Sequence, residues 1–166
     1  MQAAIIAKKM GHTVRLAEKQ DSLGGQMFIA GVPPFKTAIH DAMNWFIGEV
    51  ERLGIDVDLN AEVDMDYVER FNPDAVLLAV GSQPSRPPVE GIGLCEDGWD
   101  VLRNSEDLPE NQEVIIIGGG TVGCEIAHTL IEKNDHVTII EMDDGLSKKQ
   151  NNVHRQRNEQ ILKDAD

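Results

Sequence analysis

The densest chemical signal in the chain is Gly118-Gly119-Gly120-Thr121-Val122-Gly123, a Gly-x-Gly-x-x-Gly run. It directly follows the apolar segment Val114-Ile115-Ile116-Ile117 and precedes a helical pattern that opens at Thr121. A second apolar segment then ends in Glu141, 23 residues after Gly118. Strand, glycine turn, helix and strand-terminal acid in this order point to dinucleotide binding. Gly118 permits the tight turn, Gly120 lets the backbone approach a pyrophosphate, and Gly123 lets the helix pack on the strand. The N–H groups and positive partial charge at the start of the helix suit phosphate. Glu141 can accept two hydrogen bonds from a ribose diol, which favours NAD. A 2′-phosphate would meet that carboxylate and also Asp143 and Asp144. Lys148, Lys149, Arg155 and Arg157 are the residues that could hold such a phosphate, and their pattern reads as a solvated face.

The strand and its acid occur twice. G-H-T-V-R-L-A-E (residues 11–18) and N-D-H-V-T-I-I-E (134–141) align at an offset of 123, with Val14 on Val137, Glu18 on Glu141 and Ala4 on Ala127. At that offset the position before Met1 falls on Gly123. The expectation is a fragment, with Met1 an internal methionine and a first glycine loop and its strand lying upstream.

The elements that must position these residues follow from periodicity. Residues 1–10 read as a helix stopped by Gly11, and 13–18 as a strand. Ile39, Met43, Phe46, Val50 and Leu53 form one apolar stripe, which predicts a helix over 37–53, ended by Gly54 and followed by a strand over 55–59. The continuous apolar run 75–80 predicts a strand buried on both faces of a parallel sheet. Residues 82–91 carry three prolines and read as a linker. A short helix is expected over 99–103, then strand 114–117, helix 121–133, strand 137–141 and a weakly helical tail from Ser147. The fold class is α/β, with two Rossmann-like dinucleotide-binding units whose parallel sheets are flanked by helices, both incomplete. The units are expected at 1–88 and 112–166, joined by a linker and short helix over 89–111.

Composition narrows the function classes. The 166 residues hold 29 acids against 15 Lys and Arg, a net charge of −14. Such a surface repels phosphate backbones and anionic lipid, which argues against nucleic-acid and membrane binding. No apolar run is long enough to span a bilayer, and no secretory signal pattern is visible. Cys95 and Cys124 stand 29 positions apart, which fits neither a disulfide framework, a zinc site nor a Cys-x-x-Cys pair, and suits a reducing, cytoplasmic setting. Cys124, at the start of the glycine-turn helix, reads as a small packing residue whose thiol pKa the helix dipole would lower. His128 and Glu132, one helical turn apart, read as a solvated pair, and His12 and His136 as turn residues.

Glu18-Lys19, then Leu23-Gly24-Gly25-Gln26, then Val32-Pro33-Pro34-Phe35-Lys36, resemble the FAD-domain signature of the 2,4-dienoyl-CoA reductase and 2-enoate reductase flavoenzymes. These are NADH:flavin oxidoreductases related to old yellow enzyme and trimethylamine dehydrogenase. Asp74-Ala75-Val76-Leu77-Leu78-Ala79-Val80-Gly81-Ser82-Gln83-Pro84 is similar to the second FAD-contact strand of pyridine-nucleotide flavoreductases. The resemblance covers nearly all of the chain. It implies that Glu18, with Lys19 beside it, binds the FAD ribose. By the same likeness Gly24, Gly25 and Gln26 line the flavin nucleotide, the backbone near Val63 meets the adenine, and Ala79 and Gly81 approach FAD. Gly118, Gly120, Thr121, Val122, Gly123 and Glu141 would hold NAD(H).

In such enzymes FAD takes hydride from NADH and passes electrons through an iron–sulfur cluster to FMN. The resemblance therefore implies an N-terminal FMN-binding barrel outside this chain, no catalytic residue within it, and little FAD binding or activity by the chain alone. Exposed sheet edges favour homodimers or aggregation. The missing Cys-x-x-Cys counts against a thioredoxin-reductase-like enzyme. An electron-transfer module like the glutamate synthase small subunit, and a non-catalytic domain holding ADP as in trimethylamine dehydrogenase-like proteins, are the alternatives.

Overall fold

The computed structural model describes residues 1–133, 136–148 and 150–164, without the side chains of 152–154, 163 and 164. The chain divides into two compact units, Met1–Ala30 with Ala38–Gln83, and Gly31–Thr37 with Pro84–Asp166.

The first unit contains α1 (Gln2–Lys9), β1 (Arg15–Ala17), α2 (Gln26–Ala30), α3 (Thr37–Arg52), β2 (Asp56–Asp58) and α4 (Met65–Phe71). β1 and β2 pair in parallel, Arg15 opposite Asp56 and Ala17 opposite Asp58. Alternation along a strand places Leu16 and Val57 on one face. There they pack on a core of Ala4, Ile5, Val50 and Ile55, with Phe46 and Leu53 beside them. The α3 stripe serves this packing: Met43 and Val50 are buried, and Ile39, Phe46 and Leu53 half-buried. Arg15 donates to the Asp58 carboxylate at 3.2 Å and stacks 5.0 Å over the Phe71 ring, and the Tyr67 hydroxyl donates to the same carboxylate. Burial, then the Asp58 charge, push the Tyr67 pKa up.

One ion cluster ties α1 to α3. Glu49 accepts from Arg52 at 2.5 and 2.9 Å and from Lys9 at 3.0 Å. The hydrogen bonds from Arg52 and then Lys9 hold the Glu49 pKa down at about 2 against an ordinary 4.5. A depressed acid pKa contributes stability that is full above about 4.5 and is lost as pH falls towards 2. Carboxyl-resonance NMR should therefore show Glu49 titrating near pH 2. A midpoint near 4.5 would mean the cluster does not form in solution.

The run 75–80 departs from its expectation. It is assigned to no strand, and Val76, Leu77, Leu78 and Val80 are 53%, 69%, 81% and 86% exposed. Apolar side chains favour burial, but a strand also needs a neighbour to satisfy its N–H and C=O groups. Among the described residues none pairs with this run.

The second unit contains a 3-10 turn (Ile92–Leu94), α5 (Gly98–Arg103), β3 (Glu113–Ile117), α6 (Thr121–Ile131), β4 (His136–Ile140) and α7 (Asn152–Asp164). β3 and β4 pair in parallel from Glu113 opposite His136 to Ile117 opposite Ile140. One sheet face is covered, by way of Val114, Ile116, Val137 and Ile139; Ile115, Ile117 and Ile140 on the other face are exposed. α6 buries Cys124, Ile126, Ala127 and Leu130. α5 packs so closely on α6 that a Cβ on Gly98 would lie 2.5 Å from the Ile126 Cδ1. His136 is the first residue of β4 rather than a turn residue, because its N–H donates to the Gln112 carbonyl at 2.8 Å. The architecture is α/β, short parallel strands flanked by helices, as a Rossmann-like fold requires. Among the described residues no helix is long and apolar enough to cross a membrane.

Candidate functional site

β3, α6 and β4 converge at the glycine turn. The Gly118 N–H donates to the Ile140 carbonyl at 2.8 Å, closing the end of the parallel ladder. The chain then reverses through φ +109° at Gly118, a conformation side chains rarely adopt. At Gly123 the constraint is space rather than φ: a Cβ there would stand 1.9 Å from the Gly118 carbonyl oxygen. Gly120 is the opposite case. Nothing lies within 4 Å of where its Cβ would be, so the backbone faces open space. It is also the N-cap of α6 and has no side chain to cap the helix. The first amides of α6, at half-buried Thr121 and exposed Val122, are therefore available to an anion.

Glu141 closes the other side. One carboxylate oxygen accepts from the Gly119 N–H at 2.7 Å and the other from the Asp143 N–H at 2.9 Å. These bonds, Asp143 first and Gly119 second, pull its pKa below the usual carboxylate value. An ionised carboxylate has about four acceptor positions, so acceptor capacity remains for a ribose hydroxyl.

The first unit repeats the strand-end acid. Glu18 follows β1 as Glu141 follows β4, and accepts from the N–H two residues on, at Gln20, at 2.9 Å. Its backbone is fixed by Glu18 N–H to Asp58 O and Ala61 N–H to Glu18 O, both 2.9 Å. Gly24 and Gly25 lead into α2, whose first residue reaches the far end of the unit. The Gln26 amide donates to the Ser82 carbonyl at 2.5 Å, and a Cβ on Gly81 would lie 2.7 Å from its Nε2. Gln26 and Gly81 thus meet, while Lys19, Val63 and Ala79 sit exposed in irregular segments. Asn134 and Asp135 of the repeat lie outside the described residues.

Residues 1–166 match the family described as pyridine nucleotide-disulphide oxidoreductase. The chain belongs to that family. A curated NADH oxidase of Thermoanaerobacter brockii is 42% identical over 146 residues, 86% of this chain and 22% of that protein. A cinnamate reductase of Clostridium sporogenes is 39% identical over 146 residues, 88% of this chain and 22% of that protein. A solved 2-naphthoyl-CoA reductase in complex with 2-naphthoyl-CoA superposes with a TM-score of 0.88 at 25% identity, covering 99% of this chain and 25% of that one. The chain spans about a fifth of the curated relatives it matches. These relatives agree with the enoate-reductase-type signature, and the chain is a flavin- and nicotinamide-nucleotide-binding module of that oxidoreductase family.

Other residues of this module depart from their sequence reading. Cys124 is the small packing residue expected, 2% exposed, but burial pushes its thiol pKa up rather than down. His128 is not simply solvated. Its side chain is 16% exposed, 3.9 Å from the Glu132 carboxylate, and its ring lies 5.9 Å from that of Phe35. The tail cations are engaged: Lys148 pairs with Asp144, Arg155 with Glu159 at 2.8 Å, and Arg157 lies 5.4 Å over Phe35. Lys149 lies outside the described residues. Two further features were not anticipated. Lys36 forms an ion pair with Glu125 of α6, and Ser147 is buried against Cys124. Lys36 closes a quoted motif but Glu125 lies outside the glycine fingerprint, and with 89 residues between them nothing local links the pair.

Proposed function

We propose that this chain is the FAD- and NADH-binding module of a multidomain flavin oxidoreductase that sends reducing equivalents from NADH through FAD towards an enoate or enoyl substrate. The observation that carries this reading is the second unit's turn. A Gly123 that tolerates no Cβ, an open and uncapped Gly120 amide end, and an ionised Glu141 at the strand end fit a dinucleotide. Gly118, Gly120, Thr121, Val122 and Gly123 would present backbone to the pyrophosphate of NAD(H), and Glu141 would accept from the adenosine ribose. Engagement of Lys148, Arg155 and Arg157 elsewhere supports NAD over NADP. In the first unit Glu18 and Lys19 would take the FAD ribose, Gly24, Gly25 and Gln26 the nucleotide, and the Val63 backbone the adenine, while Ala79 and Gly81 would approach FAD through the backbone. When bound, the two dinucleotides supply the chemistry, a hydride donor and a flavin that accepts it. The chain's residues orient them; electron delivery to substrate falls to an FMN-binding barrel and iron–sulfur cluster elsewhere in the whole protein, which is cytoplasmic.

Calorimetric titration of the chain with NADH should show saturable binding, and absence of binding would remove the reading. NADH should bleach the flavin of the whole protein, and an enoate such as cinnamate should restore its colour. Bleaching without restoration would keep the module and discard the substrate class. Stoichiometric flavin retained by the purified chain alone would overturn the expected weak FAD affinity.

A further inference from the structure

Ser147 is an outlier on three counts. It is 2% exposed in a chain whose tail is polar, it holds φ +49° without being glycine, and its N–H and hydroxyl both point at the glycine turn and the start of α6. Its N–H donates to the Gly119 carbonyl at 2.8 Å and its hydroxyl to the Cys124 sulfur at 3.2 Å. The Cys124 S–H in turn donates to the same Gly119 carbonyl at 3.5 Å. Leu146 seals the latch, its Cδ2 filling the place a Gly119 Cβ would take.

From this closed set of bonds we propose that Ser147 is the positioning residue that sets nicotinamide-cofactor selectivity, by locking the acidic loop 142–147 onto the glycine turn. The inference rests on the dinucleotide reading of the second unit. Two consequences follow from geometry. A peptide is planar and trans, so its C=O and N–H point opposite ways. With the Gly119 carbonyl held by two donors, the Gly120 N–H on the same peptide points the opposite way, away from Ser147 and Cys124. The same latch anchors the loop after Glu141, which keeps Asp143 on the Glu141 carboxylate. Asp143 and Glu141 then stand together where a 2′-phosphate would have to sit, so a closed latch admits NADH and repels NADPH.

Ser147→Gly tests this. Glycine keeps the left-handed φ and the N–H but deletes the hydroxyl. Binding of NADH and NADPH to the 166-residue chain is measured by calorimetry, alongside the urea midpoint. Expected is an NADH affinity about tenfold lower with NADPH changed less than about threefold, so the selectivity ratio narrows. Cys124→Ala, which removes the hydroxyl's partner, should narrow it likewise, and the double variant should add little to either single change. Equal weakening of both cofactors, or an unchanged ratio in both variants, overturns the proposal. If the unmodified chain binds neither dinucleotide, the module reading fails first and takes the latch with it.

Discussion

Gly123→Ala should destabilise the second unit by about 3 kcal/mol or more and abolish NADH binding, although alanine is the better helix former. Helix propensity alone favours alanine by about 1 kcal/mol, so the expected sign opposes the local rule. The reason is steric. The new Cβ would fall 1.9 Å from the Gly118 carbonyl oxygen and 3.5 Å from the Ile116 Cγ2. The first is backbone, in a turn already fixed by the Gly118 N–H bond to Ile140, so no flexible side chain can yield. Either α6 withdraws from β3 or the turn opens, and both dismantle the amide array meant for phosphate.

Gly48→Ala provides the control. Gly48 lies inside α3, nothing lies within 4 Å of its virtual Cβ, and substitution should stabilise by up to about 1 kcal/mol. Urea unfolding of the two variants separates the effects, since a change of midpoint at constant slope reports stability alone. A Gly123→Ala chain as stable as its parent would mean the helix and strand do not approach as closely as the structure shows.

What could be read in advance divides along a physical line. The second unit's strand, turn, helix and acid were legible because each is specified within about 30 residues, by local glycine requirements and apolar periodicity. The α3 stripe was legible for the same reason. The run 75–80 differs from its expected strand because apolar composition states a preference for burial but not the presence of a pairing neighbour. α4 leaves little trace in the sequence although Asp64 is a good N-cap, accepting from the Tyr67 N–H at 2.8 Å; the helix is seven residues long and buries none of them. Lys36 with Glu125, Gln26 with Gly81 and Ser147 with Cys124 are meetings of distant residues, and no local pattern encodes them. Ser147 in particular looked like the first residue of a polar tail, and only its enclosure reveals a polar group that has to be satisfied where it is.

Glu141→Ala should weaken NADH binding about thirtyfold while changing NADPH little. The asymmetry comes from removing two charged hydrogen bonds to a ribose diol in one case, and from relieving like-charge repulsion against a 2′-phosphate in the other. Glu141→Gln should rescue almost none of the loss. Both Glu141 oxygens accept a backbone N–H, from Gly119 at 2.7 Å and Asp143 at 2.9 Å. A carboxamide offers one acceptor oxygen and one donor NH2, so one N–H would face another donor whichever way the amide turns. The proton behaves predictably too. Those N–H bonds lower the Glu141 pKa below its ordinary 4.5, so the acceptor form is present throughout the neutral range. NADH affinity limited by this group should be flat from neutral pH down to about 4.5 and decline only below it. A decline setting in near pH 6 would assign the ribose contact to some other titrating group. A glutamine variant with parental affinity would show that the two backbone bonds are not what holds the carboxylate in place.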